Sequence, residues 1–144
     1  MKEQNYTNHA RYVTGFHFIL GGLLLTGFIC SVINIWLQWS QGEGIFSPVL
    51  IALLFVCGMF LFIFTRQFAT KVQDRAIRAE ENLRYFILTH NPLDKRITIG
   101  QVIALRFASD DELIVLADRA ANEQMTPDEI KNEIKNWRAD IHRV

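Results

Sequence analysis

The chain has 144 residues, half of them apolar, with 11 Phe and 3 Trp: the size of one domain or one small membrane unit. Its 15 basic and 15 acidic side chains cancel, which argues against a general nucleic-acid or heparin binder. Two cysteines, Cys30 and Cys57, both inside charge-free apolar runs, cannot staple a secreted mini-protein and behave as small hydrophobes.

Residues 1–15 read as an interfacial segment. Asn5, Tyr6, Asn8, His9, Arg11 and Tyr12 form a polar, aromatic strip able to hydrogen-bond a headgroup phosphate or a protein edge, though anchoring alone would account for it. From Arg11 to Glu43, and again from Glu43 to Arg66, no charged residue intervenes. Phe16–Trp39 would span roughly 36 Å as a helix and Ile45–Thr65 roughly 31 Å, each enough to cross a hydrocarbon core of about 30 Å. Two such runs in so short a chain leave too little polypeptide to cover them, so residues 16–65 are expected to form a transmembrane hairpin. The first run exceeds a signal-peptide core and lacks a small-x-small cleavage site, so it is expected to stay.

The connector Ser40–Gly44 carries only Glu43, whereas Lys2 and Arg11 precede the first span and Arg66, Lys71, Arg75, Arg78 and Arg84 follow the second. By the positive-inside rule both termini are expected in the cytoplasm, with Trp36 and Trp39 at the outer interface. Ser47 and Pro48 suit the N-cap and N1 of the second helix. On a helical wheel Gly22, Thr26, Gly27, Cys30, Ser31, Asn34 and Gln38 share one half, the expected packing face, with Ser47, Gly58 and Thr65 aligned on the second span.

Neither Gly nor Pro occurs from Met59 to Asn91, and Ala69, Val72, Ala76, Ala79, Leu83 and Phe86 recur at alternating spacings of three and four. The second span is therefore expected to continue as a cytoplasmic stalk helix over residues 66–90, bearing a short coiled-coil-like stripe. Pro92 disfavours helix at Asn91 and marks the break.

Residues 91–144 are expected to form a small cytoplasmic three-helix module. Thr98/Gln101, Ser109/Glu112 and Thr126/Glu129 match the capping-box pattern, with Pro127 at N1 of the last, predicting helices near 99–107, 110–122 and 127–141. Ile130, Ile134, Trp137 and Ile141 then make an apolar stripe, for which Val102, Ile103, Leu113, Leu116 and Met125, with Leu83 and Phe86 of the stalk, are the expected cover. Arg66–Arg96 carries seven basic and four acidic residues, a balance suited to anionic inner-leaflet lipids, while Ile97–Val144 has six and nine. The fold expected is all-α throughout.

Gln4–Tyr12 (QNYTNHARY), the His17-Phe18 pair, Leu105–Leu113 (LRFASDDEL) and Ile134–Val144 (IKNWRADIHRV) resemble a family of uncharacterised two-span bacterial membrane proteins, classed as a domain of unknown function. The likeness covers nearly the whole chain. That family often has proline shortly before the His17-Phe18 position, where this chain has Thr14-Gly15, so the approach to the first span is expected to differ. The resemblance implies a multi-pass protein of the bacterial cytoplasmic membrane and supplies no activity.

No P-loop, HExxH, GxSxG, CxxC or Gly-rich dinucleotide fingerprint is present, so no catalytic, cofactor-binding or metal-ligating residue is assigned. His9, His17, His90 and His142 do not pair at ligand spacing. His17 stands at the expected inner boundary, where it is a candidate headgroup contact beside the 5–12 strip. The function expected is a non-catalytic accessory or scaffold protein showing a helical module to another membrane protein or to itself, with the lipid bilayer as its setting and no nucleic acid. Two alternatives stand beside it: an oligomeric pore or transporter component lined by Thr26, Ser31, Asn34 and Gln38, and a redox or metal-assisted enzyme using His9 and His17.

Overall fold

A charge-free apolar run can satisfy its own backbone only by coiling, and it does so twice. The computed structural model describes Tyr6 and residues 13–140. In it a π-helical turn, Gly15–Leu20, leads into α1, Gly21–Ser40, and α2 covers Phe46–Thr89. Three shorter helices follow: α3 (Ile99–Leu105), α4 (Asp110–Asn122) and α5 (Pro127–Glu133). Among the described residues there is no strand, only an isolated antiparallel bridge between Ala108 and Trp137. The Gly15–Leu20 stretch and α2 are each part of a helix long and apolar enough to span a membrane.

The chain divides into two compact units, Tyr12–Ala69 and Thr70–Val144. In the first, Phe16 stacks on Phe62 with ring centroids 4.3 Å apart, a methyl group added at Gly27 would run into the Phe55 ring at 2.2 Å, and one at Gly58 would touch Leu24 at 3.0 Å. Contact pairs whose numbers fall on one side as they rise on the other define two helices running antiparallel. Gly42, at φ 71°, closes the turn between them. Phe55 fills the space over Gly27 and Leu24 the space over Gly58, so large side chains lie against glycines.

This packing shifts the covered face of α1 partway round from the one the wheel suggested, keeping Gly27, Ser31, Asn34 and Gln38. Leu24, Gly27, Phe28, Ser31, Asn34, Ile35 and Gln38 are covered, whereas Gly22, Thr26 and Cys30 are exposed, with open space around Gly22. Small residues were expected to meet small residues; the contacts instead match bulk on one helix with its absence on the other. Ser31 is buried and donates its hydroxyl proton to the Phe28 carbonyl at 2.7 Å. On α2, Pro48, Ala52, Phe55, Met59 and Phe62 are covered and Ser47 and Thr65 are exposed. The helix begins at Phe46, ahead of the expected Ser47 cap, so Pro48 stands third in the first turn and not at N1, where its missing N–H still costs no intrahelical bond.

The second unit is built around Val102, Leu105, Phe107, Leu113 and Ile130, with Ile97 and Ile77 alongside. Helix α2 ends where Thr89 gives way to His90 at φ 57°, a left-handed residue just past the last turn, followed by Pro92. The part of α2 in this unit presents Ile77, Glu81, Arg84 and Tyr85 to the module. Leu83 and Phe86, expected as cover for the α5 stripe, are 60% and 49% exposed. Charged residues took the inward face because the module supplies their partners.

Two of the three capping boxes close as spaced. Thr98 with Gln101 and Thr126 with Glu129 exchange both bonds. The middle one does not. Ser109 is the N-cap of α4 without a side-chain bond, and the Glu112 carboxylate accepts instead from the backbone N–H and side-chain amide of Asn136 at 3.3 Å. Helix α5 also stops at Glu133, short of the expected 141, with Ile134 extended. The chain beyond it pairs with residues 107–108, where the Arg138 N–H donates to the Phe107 carbonyl at 2.8 Å. Ile130 and Ile134 still reach the core, and Trp137 packs against it from the extended segment.

Candidate functional site

The buried charged side chains among the described residues, Glu81 and Arg106, lie where α2, the turn after α3 and the segment after α5 meet. Glu81 and Arg84 stand three residues apart on α2, hence on one face. Arg84 donates to the Glu81 carboxylate at 3.0 Å, to Asp110 at 2.7 Å and to the Ala108 carbonyl at 2.8 Å. Arg138 approaches the other Glu81 oxygen at 3.8 Å. Arg106, buried like Glu81, lies 3.4 Å from Asp140, and its guanidinium sits over the Phe107 ring at 4.5 Å. Trp137 closes on the same ring at a centroid distance of 5.0 Å.

Beside these groups is a cleft of about 310 Å³, lined by Gln73, Ala76, Ile77, Glu80, Glu81, Arg106, Arg138, Ala139 and Asp140. It holds two guanidiniums and three carboxylates, so charge nearly balances. The lining offers no Ser, Cys, Thr or His to act as nucleophile or neutral base. What the geometry does is mechanical. It ties three chain segments that are distant in sequence to one another: Arg84 clamps α2 to residues 108–110, and Arg138 and Asp140 bring in the segment after α5.

A second polar knot holds the module from within. The Gln101 amide nitrogen donates to the Ala120 and Met125 carbonyls at 3.1 and 2.8 Å, while its oxygen accepts from the Thr98 N–H at 2.7 Å. On the surface Arg119 bridges Glu123 and Glu133, which raises its guanidinium pKa and lowers that of Glu123, chiefly by side-chain hydrogen bonding. The Arg96 guanidinium and N–H hold the Asp94 carboxyl down to about 2. Glu129 is lowered by the Thr126 N–H that it caps and, after it, by the Thr126 hydroxyl.

The residues expected to touch headgroups are placed unevenly. Asn5, Asn8, His9, Arg11 and Tyr12 lie outside the described residues. Tyr6 is exposed, and His17 is half-buried in the π-helical turn, its Nδ1 within 3.2 Å of the Val13 N–H and 3.1 Å of the Val13 carbonyl. That turn begins at Gly15, at the Thr14-Gly15 position where the approach to the span was expected to differ. Of the expected helix-packing residues, Asn34, Gln38 and Gly58 lie on the covered faces, and Gly22, Thr26 and Cys30 do not.

Composition and spacing gave no hint of the clamp, since Glu81 and Arg84 look like any solvated pair on a helix. The signal that pointed to it was the resemblance. Arg106, Phe107, Ala108 and Asp110 come from LRFASDDEL, and Trp137, Arg138 and Asp140 from IKNWRADIHRV; the fold brings these two stretches together. Residues 1–144, the entire chain, match the family described as "Family of unknown function (DUF6526)". The chain belongs to this family. Neither a curated protein nor a solved structure matches it. In this DUF6526 member, the two resembling segments thus form one joint around Phe107.

Proposed function

We propose that the protein is a non-catalytic accessory or scaffold of the bacterial cytoplasmic membrane, anchored by the helix pair at 15–65 and offering residues 70–140 to a partner. The observation that carries this reading is the inverted surface of the 12–69 unit. Phe18, Leu23, Trp36, Trp39, Phe46, Leu54 and Leu61 are each at least 65% exposed, while the residues it buries are Ser31 and Pro48. In water each such side chain forgoes roughly 1.5–3 kcal/mol of burial, a penalty that hydrocarbon surroundings remove. Basic residues before the first helix and after the second, against a connector holding only Glu43, support cytoplasmic termini and contact with anionic lipids.

A scaffold also suits what the 70–140 unit contains. Its buried charged side chains bind chain segments to each other, as Arg84 and Glu81 do, leaving the surface for recognition. The test is gentle solubilisation of membranes carrying a tagged copy, followed by mass spectrometry. Stoichiometric recovery of another membrane protein, or of untagged copies of this chain, is the expected result. Recovery of the tagged chain alone, or its appearance in the soluble fraction without detergent, would overturn the reading.

A further inference from the structure

We infer that the exposed stripe on α2 between Val72 and Phe86 is the contact by which a second copy of this chain pairs with it, the two helices running parallel. Val72, Ala76, Ala79, Leu83 and Phe86 occupy alternating a and d positions over two heptads, and the bulky ones are 49–68% exposed. The module reaches this face only along its edge, where Ala76 and Glu80 also line the cleft beside Arg106 and Arg138. It covers Ile77, Glu81, Arg84 and Tyr85, which lie on the opposite side of the helix at the b, c and f positions. At the far end a groove of about 420 Å³ between Leu83, Phe86 and the Pro92-Leu93 turn widens the apolar surface.

The flanking charges select both the partner and the direction. With Ala76 at a, Arg75 falls at g and Glu80 at the following e, the two positions that meet across a parallel pair five residues apart. Both side chains are exposed and in no ion pair among the described residues. A parallel pair of identical helices therefore gains two Arg75–Glu80 contacts by symmetry. An antiparallel pair, in which e faces e and g faces g, sets Glu80 toward Glu80 and Arg75 toward Arg75. The alanines at Ala76 and Ala79 let the backbones come close at the middle. Two heptads are short for a free coiled coil, so the pairing requires copies held at high local concentration, and in that respect alone it rests on the membrane reading.

Single cysteines placed in full-length protein lacking Cys30 and Cys57, then oxidised in native membranes, test this. Val72→Cys, Ala79→Cys and Phe86→Cys are all expected to form self-disulfides, and Lys71→Cys and Arg78→Cys, at c positions, are not. Arg75→Glu should lower the Ala79→Cys yield roughly tenfold, and adding Glu80→Arg should restore it. Cross-linking at Ala79 alone indicates an antiparallel pair and overturns the inference. So does equal cross-linking at every position, none at any, or a charge reversal without effect. Alkaline washing of the same membranes reports separately whether the chain is embedded.

Discussion

Replacing Arg84 by alanine should loosen the 70–140 unit as a whole, and the size of the effect can be worked from its partners. The side chain is 12% exposed and contacts a Glu81 side chain that is 9% exposed, so removal leaves a carboxylate nearly out of water with only Arg138 nearby, at 3.8 Å. Breaking a buried pair from one side costs about 3–5 kcal/mol, and the remaining cation puts this case near the lower end, about 3 kcal/mol. The Asp110 contact adds little, because that side chain is 64% exposed; Asp110→Ala should cost about 0.5 kcal/mol. Trp137, packed on Phe107, reports on the joint once Trp36 and Trp39 are changed to phenylalanine. Urea titration of its fluorescence in detergent micelles gives the stabilities. The double change Glu81→Leu with Arg84→Met should regain most of the loss, since no charge is then stranded. If Arg84→Ala is no worse than Asp110→Ala, or if the double variant equals the sum of its single changes, the clamp described here is wrong.

Three other outcomes are expected. Gln101→Met, which keeps shape but removes the amide, strands the Ala120 and Met125 carbonyls and the Thr98 N–H, and should cost about 3 kcal/mol in the same titration; a loss below about 1 kcal/mol would refute the knot. Gly27→Ala should weaken packing of α1 on α2 because its methyl group meets the Phe55 ring, whereas Gly22→Ala, which meets open space, should not; equal protease resistance of the two variants in micelles would contradict the register. Asp94, whose folded pKa is depressed to about 2, contributes stability that is complete above the ordinary carboxylate range and lost as pH falls through about 2. Asp94→Asn should therefore flatten the decline in stability between about pH 4 and pH 2, and an unchanged acid limb would show that the Arg96 contact does not persist in solution.

What was legible in the sequence was local or one-dimensional. The apolar runs before Trp39 and Thr65 appear as long helices, and the Thr98/Gln101 and Thr126/Glu129 boxes close because each needs only residues three apart. Ser109/Glu112 has the same spacing and does not close, since Glu112 is taken by Asn136, 24 positions away. The same long-range pairing ends α5 at Glu133 and pulls Trp137 off the helix on which its spacing placed it. On α2 the apolar period was correctly seen and its direction was not. Val72, Leu83 and Phe86 face out because Glu81 and Arg84, which look solvated in sequence, find their partners inside. On α1 the covered face keeps Gly27, Ser31, Asn34 and Gln38 of the wheel face and leaves out Gly22, Thr26 and Cys30, because size was counted on one helix without the bulk of Phe55 on the other.

The bridge between Ala108 and Trp137 fixes an order of events during synthesis. Phe107 and Arg106 emerge from the ribosome some thirty residues before the segment that shields them. Until that segment arrives, the nascent chain carries an open greasy seam, and the stretch that seals it is made well after the residues it covers. A fusion or truncation made upstream of Trp137 would hold the protein in that unsealed condition, which makes the stretch 134–140 the part that recombinant work on this unit has to keep intact.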